Sequence, residues 1–193
     1  MKLWEFLALL VVAFVCMFVV AAMLVLPILA RVAFYSGDTD SAIRRMSETV
    51  MIDSAFTAIG FPSWESGART TRGYFYDQKH EYDNEVDDLN SAIRLVPGNA
   101  DARNALAWIL ATCPDAKYRN GERAIESATK ACALTNWESP NYVDTLAAAY
   151  AENQQFKDAV EWQQKALAIS DPPLPGMKDR LELYKKHEPY REK

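Results

Sequence analysis

The feature that most constrains this chain is an apolar run near its beginning. Residues 7–30 read LALLVVAFVCMFVVAAMLVLPILA and contain no charged side chain. At about 1.5 Å per residue, a helix of this length crosses a hydrocarbon core of about 30 Å with some tilt. Trp4 precedes the run and Tyr35 follows it, where aromatic residues favour the membrane interface. The run therefore predicts a transmembrane helix that contacts the lipid bilayer through residues 7–30.

The alternative for such a run is a cleaved signal peptide. The apolar part of a signal peptide is typically about 7–15 residues long, and here no convincing small-residue cleavage site follows it. We therefore expect an uncleaved single-pass anchor in the cell membrane. Arg31, Arg44 and Arg45 follow the run and weakly favour a cytoplasmic domain. In the competing orientation, the short segment before the run stays inside the cell and the domain after the run lies outside. Both orientations stay open.

Small residues in the run predict a second role for it. Ala13, Ala21 and Ala22 would allow another membrane helix to approach closely. We therefore expect these three alanines to form a helix–helix interface.

Two later segments share one pattern of small and aromatic residues. Each has a small residue, an aromatic residue three positions later, and an alanine sixteen positions after the aromatic: Gly73, Tyr76 and Ala92 in one, and Ala147, Tyr150 and Ala166 in the other. Two antiparallel helices pack closely where a small residue of one faces a large residue of the other. These spacings resemble the tetratricopeptide repeat, whose unit is about 34 residues. The resemblance implies an all-α fold, a short α-solenoid of helix pairs.

The middle of this region differs from its neighbours in the turn between its two helices. The segment LAWILATCPDAKYRNGERAIESATKAC places about five extra residues in that turn. Pro114 is expected to end the first helix, and Asn120-Gly121 to precede the second. With YVDTLAAAYAENQQFKDAVEWQQKAL, the segment resembles a tetratricopeptide variety found in bacteria. We predict that the Cys-Pro-Asp turn is a longer corner, with a structural role for Cys113.

The sequence predicts four regions. They are an anchor over 1–35, a connecting helical segment over 36–65, repeats over 66–173 divided at about 66–99, 100–139 and 140–173, and a capping helix and tail over 174–193. We interpret the connecting segment as a degenerate half repeat whose first helix is the end of the anchor. This would join the anchor rigidly to the repeats.

No catalytic, cofactor or metal pattern is present in the sequence. The chain has no GxSxG, P-loop or dinucleotide glycine motif, and we interpret His80 and His187 as solvated surface residues. The acidic run Glu81–Asp88 lacks the glycine and closing glutamate of a calcium loop, so we interpret it as complementing a helix N-terminus. A net charge of −5 argues against nucleic acid as a partner. We expect no enzyme activity, no cofactor and no metal.

The family resemblance implies a binding surface instead. In these repeats the first helix of each pair lines a concave groove, and the corresponding positions here are Thr70, Tyr74, Asp77, Asn104, Trp108, Asn141 and Asp144. Asparagine can bond both edges of a peptide backbone, and Tyr and Trp supply anchoring area. Alternatively, Tyr74 and Trp108 pack against neighbouring repeats. Some repeats of this family bind a partner's C-terminal carboxylates through Lys, Asn and Arg side chains at set positions. Here those positions hold Thr70, Tyr74, Ala105, Asn141 and Thr145, so we do not expect such a carboxylate clamp.

These observations together predict a non-catalytic, membrane-anchored protein that mediates protein–protein interaction. The first interpretation is an accessory or scaffold subunit of a membrane protein complex. The alternative is an envelope adaptor that recruits a soluble protein or peptide through the groove.

Overall fold

The structure is a computed structural model that describes residue 21 and residues 24–57 and 62–192. These residues form helices and connecting turns, and no strand occurs among them. The helices are α1 (24–35), α2 (Thr39–Thr57), α3 (Pro62–Asp77), α4 (Tyr82–Leu95), α5 (Ala100–Thr112), α6 (Gly121–Leu134), α7 (Pro140–Glu152), α8 (Phe156–Ile169) and α9 (Met177–Lys185). The predicted all-α class is confirmed for this part of the chain.

Most of the predicted anchor falls outside the described residues. Ala13 and Ala22 are among the residues not described, so the predicted helix–helix interface stays a prediction, and Ala21 is exposed. Within 24–57 and 62–192, we find no helix that combines the length and the apolar character needed to cross a membrane.

The chain divides into two compact units, Met1–Val96 and Pro97–Lys193. In the first unit, α1 contributes to the core. Ala30 is fully buried with Met46 and Phe75, and the Phe34 ring stacks on Phe75 with 4.8 Å between centroids. Gly37 has a positive φ of 86° in the turn that links α1 to α2, a conformation that favours glycine. The end of α1 is therefore part of this unit's fold.

The opposite face of α1 is apolar and exposed. Its large side chains there are between 39% and 84% exposed: Leu24, Val25, Ile28, Leu29, Val32 and Tyr35. One helix thus packs against the core on one side and presents hydrocarbon on the other.

Helices α3 and α4 approach closely at Gly73. A Cβ atom at this glycine would lie 3.4 Å from the side chain of Leu89, which is fully buried. The small-against-large contact expected from the sequence is therefore present. Helix α3 begins at Pro62, four residues before the predicted start of the repeat at Ser66, because proline is well accommodated in a first helical turn.

Helices α5 to α9 form the second unit. Its core contains several alanines and includes side chains from each of these helices: Ala107, Ala128, Ala131, Cys132, Tyr142, Val143, Leu146, Ala166 and Met177. Small residues allow these helices to pack closely. Met177 places α9 against this core, and the capping role of this helix stays a prediction.

The long turn, residues 113–120, joins α5 to α6. Helix α5 ends at Thr112, Pro114 follows, and the Asn120 side chain caps α6 by accepting from the Arg123 N–H at 3.0 Å. Both boundaries agree with the sequence prediction. Arg119 closes the turn by donating to the carbonyls of Cys113 at 2.8 Å and Pro114 at 3.0 Å.

Candidate peptide-binding surface

The tail segment, residues 188–192, crosses α5 in the second unit. The Glu192 backbone N–H donates to the Thr112 carbonyl at 3.0 Å. In return, the indole N–H of Trp108 donates to a Glu192 carboxylate oxygen at 3.0 Å. The tail is therefore bound to α5 through both its backbone and a side chain.

The long turn makes the end of α5 available to the tail. The last carbonyls of a helix have no partner within it and need one elsewhere. Proline has no N–H, and the Leu110 carbonyl instead accepts from the Asn120 N–H at 2.9 Å. The next two carbonyls, of Ala111 and Thr112, accept from Arg191 at 3.3 Å and from Glu192 at 3.0 Å. The turn thus leaves two acceptors that the tail uses.

An aromatic and cationic group completes the surface. The rings of Trp108 and Tyr190 lie 5.8 Å apart, and the Arg180 guanidinium carbon lies 5.4 Å from each ring. A guanidinium at this distance from an aromatic face is attracted by the ring quadrupole. Arg180 is fixed in turn by Asp144, to which it donates at 3.0 and 2.7 Å. The aromatic contact is therefore supported by a buried ion pair.

Glu152, at the end of α7, binds two arginines. One carboxylate oxygen accepts from Arg119 of the long turn at 3.2 Å, and the other accepts from Arg191 of the tail. The Glu152 side chain is only 14% exposed, so these charge-assisted bonds are partly shielded from water. The long turn and the tail are consequently linked through one carboxylate.

The structure places the predicted groove residues of this unit in different environments. Trp108 contacts the tail, whereas Asn141 is exposed. The amide oxygen of Asn104 is buried and has no hydrogen-bond partner. Asp144 is 2% exposed and bonded to Arg180, so its carboxylate is engaged within the unit and does not face a ligand. Of these four positions, Trp108 is the one that the observed contacts favour.

The predicted residues of the first unit all lie on α3. The Thr70 hydroxyl donates to the Ser66 carbonyl at 2.8 Å. Tyr74 is 54% exposed, and its ring lies 5.5 Å from that of Phe34. Burial raises the pKa of the Asp77 carboxyl above its usual range. These three side chains remain a predicted binding surface.

The acidic run has a structural role beyond its position at the start of α4. Asp88 is 2% exposed and accepts from Arg72 at two bonds of 2.7 Å and from Arg69 at 3.2 Å. This carboxylate therefore joins α3 to α4 through a buried ion pair. The predicted role of complementing the helix N-terminus therefore applies to the exposed Asp83 but not to Asp88.

A cleft of about 240 Å³ in the first unit contains a second buried carboxyl group. Arg31, Asp53 and Trp64 are among its lining residues. Asp53 is 2% exposed, and one of its oxygens has no hydrogen-bond partner. Burial, followed by the neighbouring Glu65, raises the pKa of Asp53 to about 6. The neutral form of this carboxyl is thus favoured up to a higher pH than in an exposed aspartate.

The described thiols and histidines lie in different environments. Cys113 and Cys132 are both buried and neither forms a disulfide bond, and burial raises the pKa of Cys132 to about 11. The His80 ring bonds the Tyr82 hydroxyl at 2.9 Å, and His187 stacks on Phe156. Over 24–57 and 62–192, no group of three or more His, Cys, Asp or Glu side chains could hold a metal ion.

The sequence does not identify Arg180, Glu152 or the tail segment as parts of a binding surface. It predicts only a capping helix around Arg180 and a tail that contains Tyr190-Arg191-Glu192. The one signal in the sequence was the alternation of aromatic, basic and acidic side chains after the last helix. That signal cannot reveal which helix the tail contacts.

The known proteins that this chain resembles are solved structures with a similar fold. No protein-family model matches the chain, and no curated protein matches it. It is similar to the solved structure "MamA 41-end from Desulfovibrio magneticus RS-1", with a TM-score of 0.63 and 16% identity over 86% of this chain and 90% of that one. A second structure, "Crystal structure of MamA protein", gives a TM-score of 0.46 and 19% identity over 78% and 92% of the two chains. The first likeness supports a tetratricopeptide-type helical repeat fold.

Proposed function

We propose that this chain is a non-catalytic, membrane-anchored scaffold that docks other proteins, as an accessory subunit of a membrane protein complex. The observation that carries the proposal is the tail segment bound along α5. Its Glu192 backbone and side chain are both bonded, by Thr112 and Trp108. A surface that holds one irregular segment through backbone and side-chain bonds has the chemistry to hold another.

The membrane part of the proposal is supported by the apolar run and by α1. Residues 7–30 carry no charge. Helix α1 continues this character, because Ile28 is 60% exposed and Val32 is 59% exposed. Exposed side chains of this kind suit lipid or an apolar helix of another subunit. The partners we propose are therefore the bilayer and other membrane proteins, with no nucleic acid.

We also interpret α1 and α2 as the degenerate half repeat predicted from the sequence. A short turn of residues 36–38 joins them, and Ala30 packs in one cluster with Ala42. In this interpretation the repeat region begins with the end of the anchor, in a single-pass protein of the bacterial inner membrane. Its basic residues after the run favour a cytoplasmic position for the repeats.

A second candidate function is an adaptor that recruits a soluble protein. The tail-binding surface favours it, because Trp108, Arg180 and Glu152 belong to the second unit, whereas the apolar run belongs to the first. In an adaptor this surface would bind the partner, and the anchor would serve as a tether.

A pull-down in mild detergent distinguishes the two. Tagged full-length protein is compared with a chain that begins at residue 24, which keeps the core residues Ala30 and Phe34. An accessory subunit recovers integral membrane proteins in constant ratio with the full-length chain only. An adaptor recovers one soluble partner with both chains. Recovery of no protein by either chain would contradict the proposed function.

A further inference from the structure

We infer that the surface formed by Trp108, Ala111, Thr112, Glu152 and Arg180 is a recognition site for a partner segment that carries an aromatic, a basic and an acidic residue in that order. The chain's own tail, Tyr190-Arg191-Glu192, occupies the site and is displaced when the partner binds. This inference rests on the proposed docking function and specifies the chemistry of the partner.

The aromatic position is defined by two side chains. Trp108 offers a ring 5.8 Å from that of Tyr190, and Arg180 lies 5.4 Å from both. Because Asp144 holds the guanidinium, the cation is in place before an aromatic side chain binds. Preorganised contacts of this kind reduce the entropic cost of binding.

The basic and acidic positions are defined by groups of opposite character. Glu152 and the Ala111 carbonyl are acceptors, and they bind the Arg191 guanidinium. The Trp108 indole N–H is a donor, and it binds the Glu192 carboxylate. Exchanging the two charges would place a carboxylate beside Glu152 and an ammonium or guanidinium beside a donor. The site therefore selects the order basic-then-acidic.

The backbone contact requires an extended segment at the acidic residue. The Thr112 carbonyl accepts the N–H of the residue whose side chain reaches Trp108. A segment in a helix would have that N–H bonded internally. The partner feature is thus a short stretch of irregular chain, and no large complementary surface is needed.

The tail can leave the site because it is held at a partly exposed edge. The Arg191 side chain is 33% exposed, and Tyr190 and Glu192 are also in contact with solvent. Segments at a partly exposed edge, outside regular secondary structure, open with less free energy than the core of the unit. A tethered ligand nevertheless has an effective concentration in the millimolar range. The wild-type chain should therefore bind a free segment much more weakly than a chain whose tail cannot compete.

The test measures binding of a fluorescein-labelled EPYREK peptide by fluorescence anisotropy to the full chain in detergent. The first protein is wild type, and the second carries Tyr190→Ala, Arg191→Ala and Glu192→Ala. We expect the substituted chain to bind the peptide at least tenfold more tightly than wild type. Equal affinity of the two chains would overturn the inference.

Two matched controls address specificity. A peptide with exchanged charges, EPYERK, should bind the substituted chain at least tenfold more weakly than EPYREK, and equal binding would overturn the inference. Adding Trp108→Phe to the substituted chain removes the donor while keeping a ring, and should weaken binding roughly tenfold. Trp137→Phe changes a tryptophan stacked on Trp162 instead, and should leave the affinity unchanged.

A measurement on the wild-type chain covers the case in which the substituted tail destabilises the second unit. Hydrogen exchange of the Glu192 amide should accelerate when excess EPYREK peptide is added, because its bond to Thr112 is broken. Unchanged exchange up to millimolar peptide would overturn the inference. If the pull-down recovers partners while the peptide fails here, only the inference is wrong. If the peptide binds and no partner is recovered, the docking function is wrong.

Discussion

Trp108 donates its indole N–H to Glu192 at 3.0 Å, although the two residues are 84 positions apart in the sequence. The bond connects the middle of α5 to the last described residue of the chain. It gives a partner to the polar atom of a side chain that would otherwise present a half-exposed ring. The tail is consequently part of the second unit's structure as well as the occupant of a binding surface.

Glu152→Gln tests the carboxylate that the long turn and the tail share. Removing the charge weakens the bonds to Arg119 and Arg191, and we expect a loss of about 1 kcal/mol in the free energy of unfolding. The tail should also open more often, so exchange of the Glu192 amide should become faster. Chemical denaturation and hydrogen exchange measure the two effects. Glu138→Gln, at an exposed glutamate of the same unit, should change neither the unfolding free energy nor the exchange rate. Identical results for both variants would contradict the role of Glu152 in linking the turn to the tail.

Arg180→Ala tests the buried ion pair beneath the aromatic contact. Asp144 is 2% exposed and would be left as a buried charge without its arginine, so we expect a loss of roughly 3 kcal/mol in the free energy of unfolding. Lys178→Ala, an exposed position of the same helix, should cost less than about 0.5 kcal/mol.

A double-mutant cycle separates the ion pair from the lost packing of Arg180. Asp144→Asn and Arg180→Ala should be strongly coupled, so the double variant should be more stable than the sum of the two single losses predicts. Additive losses would show that Arg180 acts by packing alone.

Asp53→Asn tests the buried carboxyl of the first unit through pH. The pKa of Asp53 is about 6 in the folded chain and near 3.8 in the unfolded chain. Asp53 therefore keeps its proton in the folded state between these values, and its contribution to the free energy of unfolding falls as pH rises from about 4 to about 6, then stays constant. At pH 7.5 the variant should be more stable than wild type by on the order of 2 kcal/mol, with little difference at pH 4.

Thermal denaturation of the full chain in detergent at pH 4, 5.5 and 7.5 measures this dependence. Asp87→Asn, at an exposed carboxylate of the same unit, serves as the control and should leave the pH profile of wild type intact. A parallel profile for Asp53→Asn and wild type would show that burial of this carboxyl has no energetic cost.

Gly121→Ala tests a close approach between α6 and the end of α7. A Cβ at this position would lie 2.7 Å from the Cβ and 2.8 Å from the nitrogen of Asn153. We expect a loss of about 1–3 kcal/mol in unfolding free energy, because backbone atoms must shift. Gly67→Ala is the opposite case, since nothing lies within 4 Å and α3 is helical there. Gly67→Ala should raise the free energy of unfolding by about 0.5–1 kcal/mol. An equal change in unfolding free energy for both substitutions would contradict the close approach at Gly121.

The helix pairs could be predicted from sequence because their determinants are local. Pro114 ends α5 and Asn120 begins α6 through short-range backbone geometry and capping. The small residue at Gly73 and the buried Leu89 follow from a repeated spacing along one chain segment. Such features depend on residues within one repeat, so a resemblance to a repeat family was enough to find them.

The binding surface could not be predicted in the same way. Asp144 was assigned to a groove by its position in α7, but Arg180 of α9 reaches it and removes it from the surface. Likewise, nothing near Trp108 in the sequence indicates that Glu192 is its partner. These contacts bring α9 and the tail against earlier helices, and their geometry depends on packing of the whole unit.

The two faces of α1 have a consequence for orientation. Ala30 and Phe34 fix the rotation of this helix about its own axis, because they must point into the first unit's core. Ile28 and Val32 must then point away from it. A molecule that binds this outer face therefore binds in one direction around the α1 axis relative to the first unit, and side-chain packing sets that direction. Rotating the helix by a single residue would turn the bound molecule by about 100° and withdraw Phe34 from Phe75.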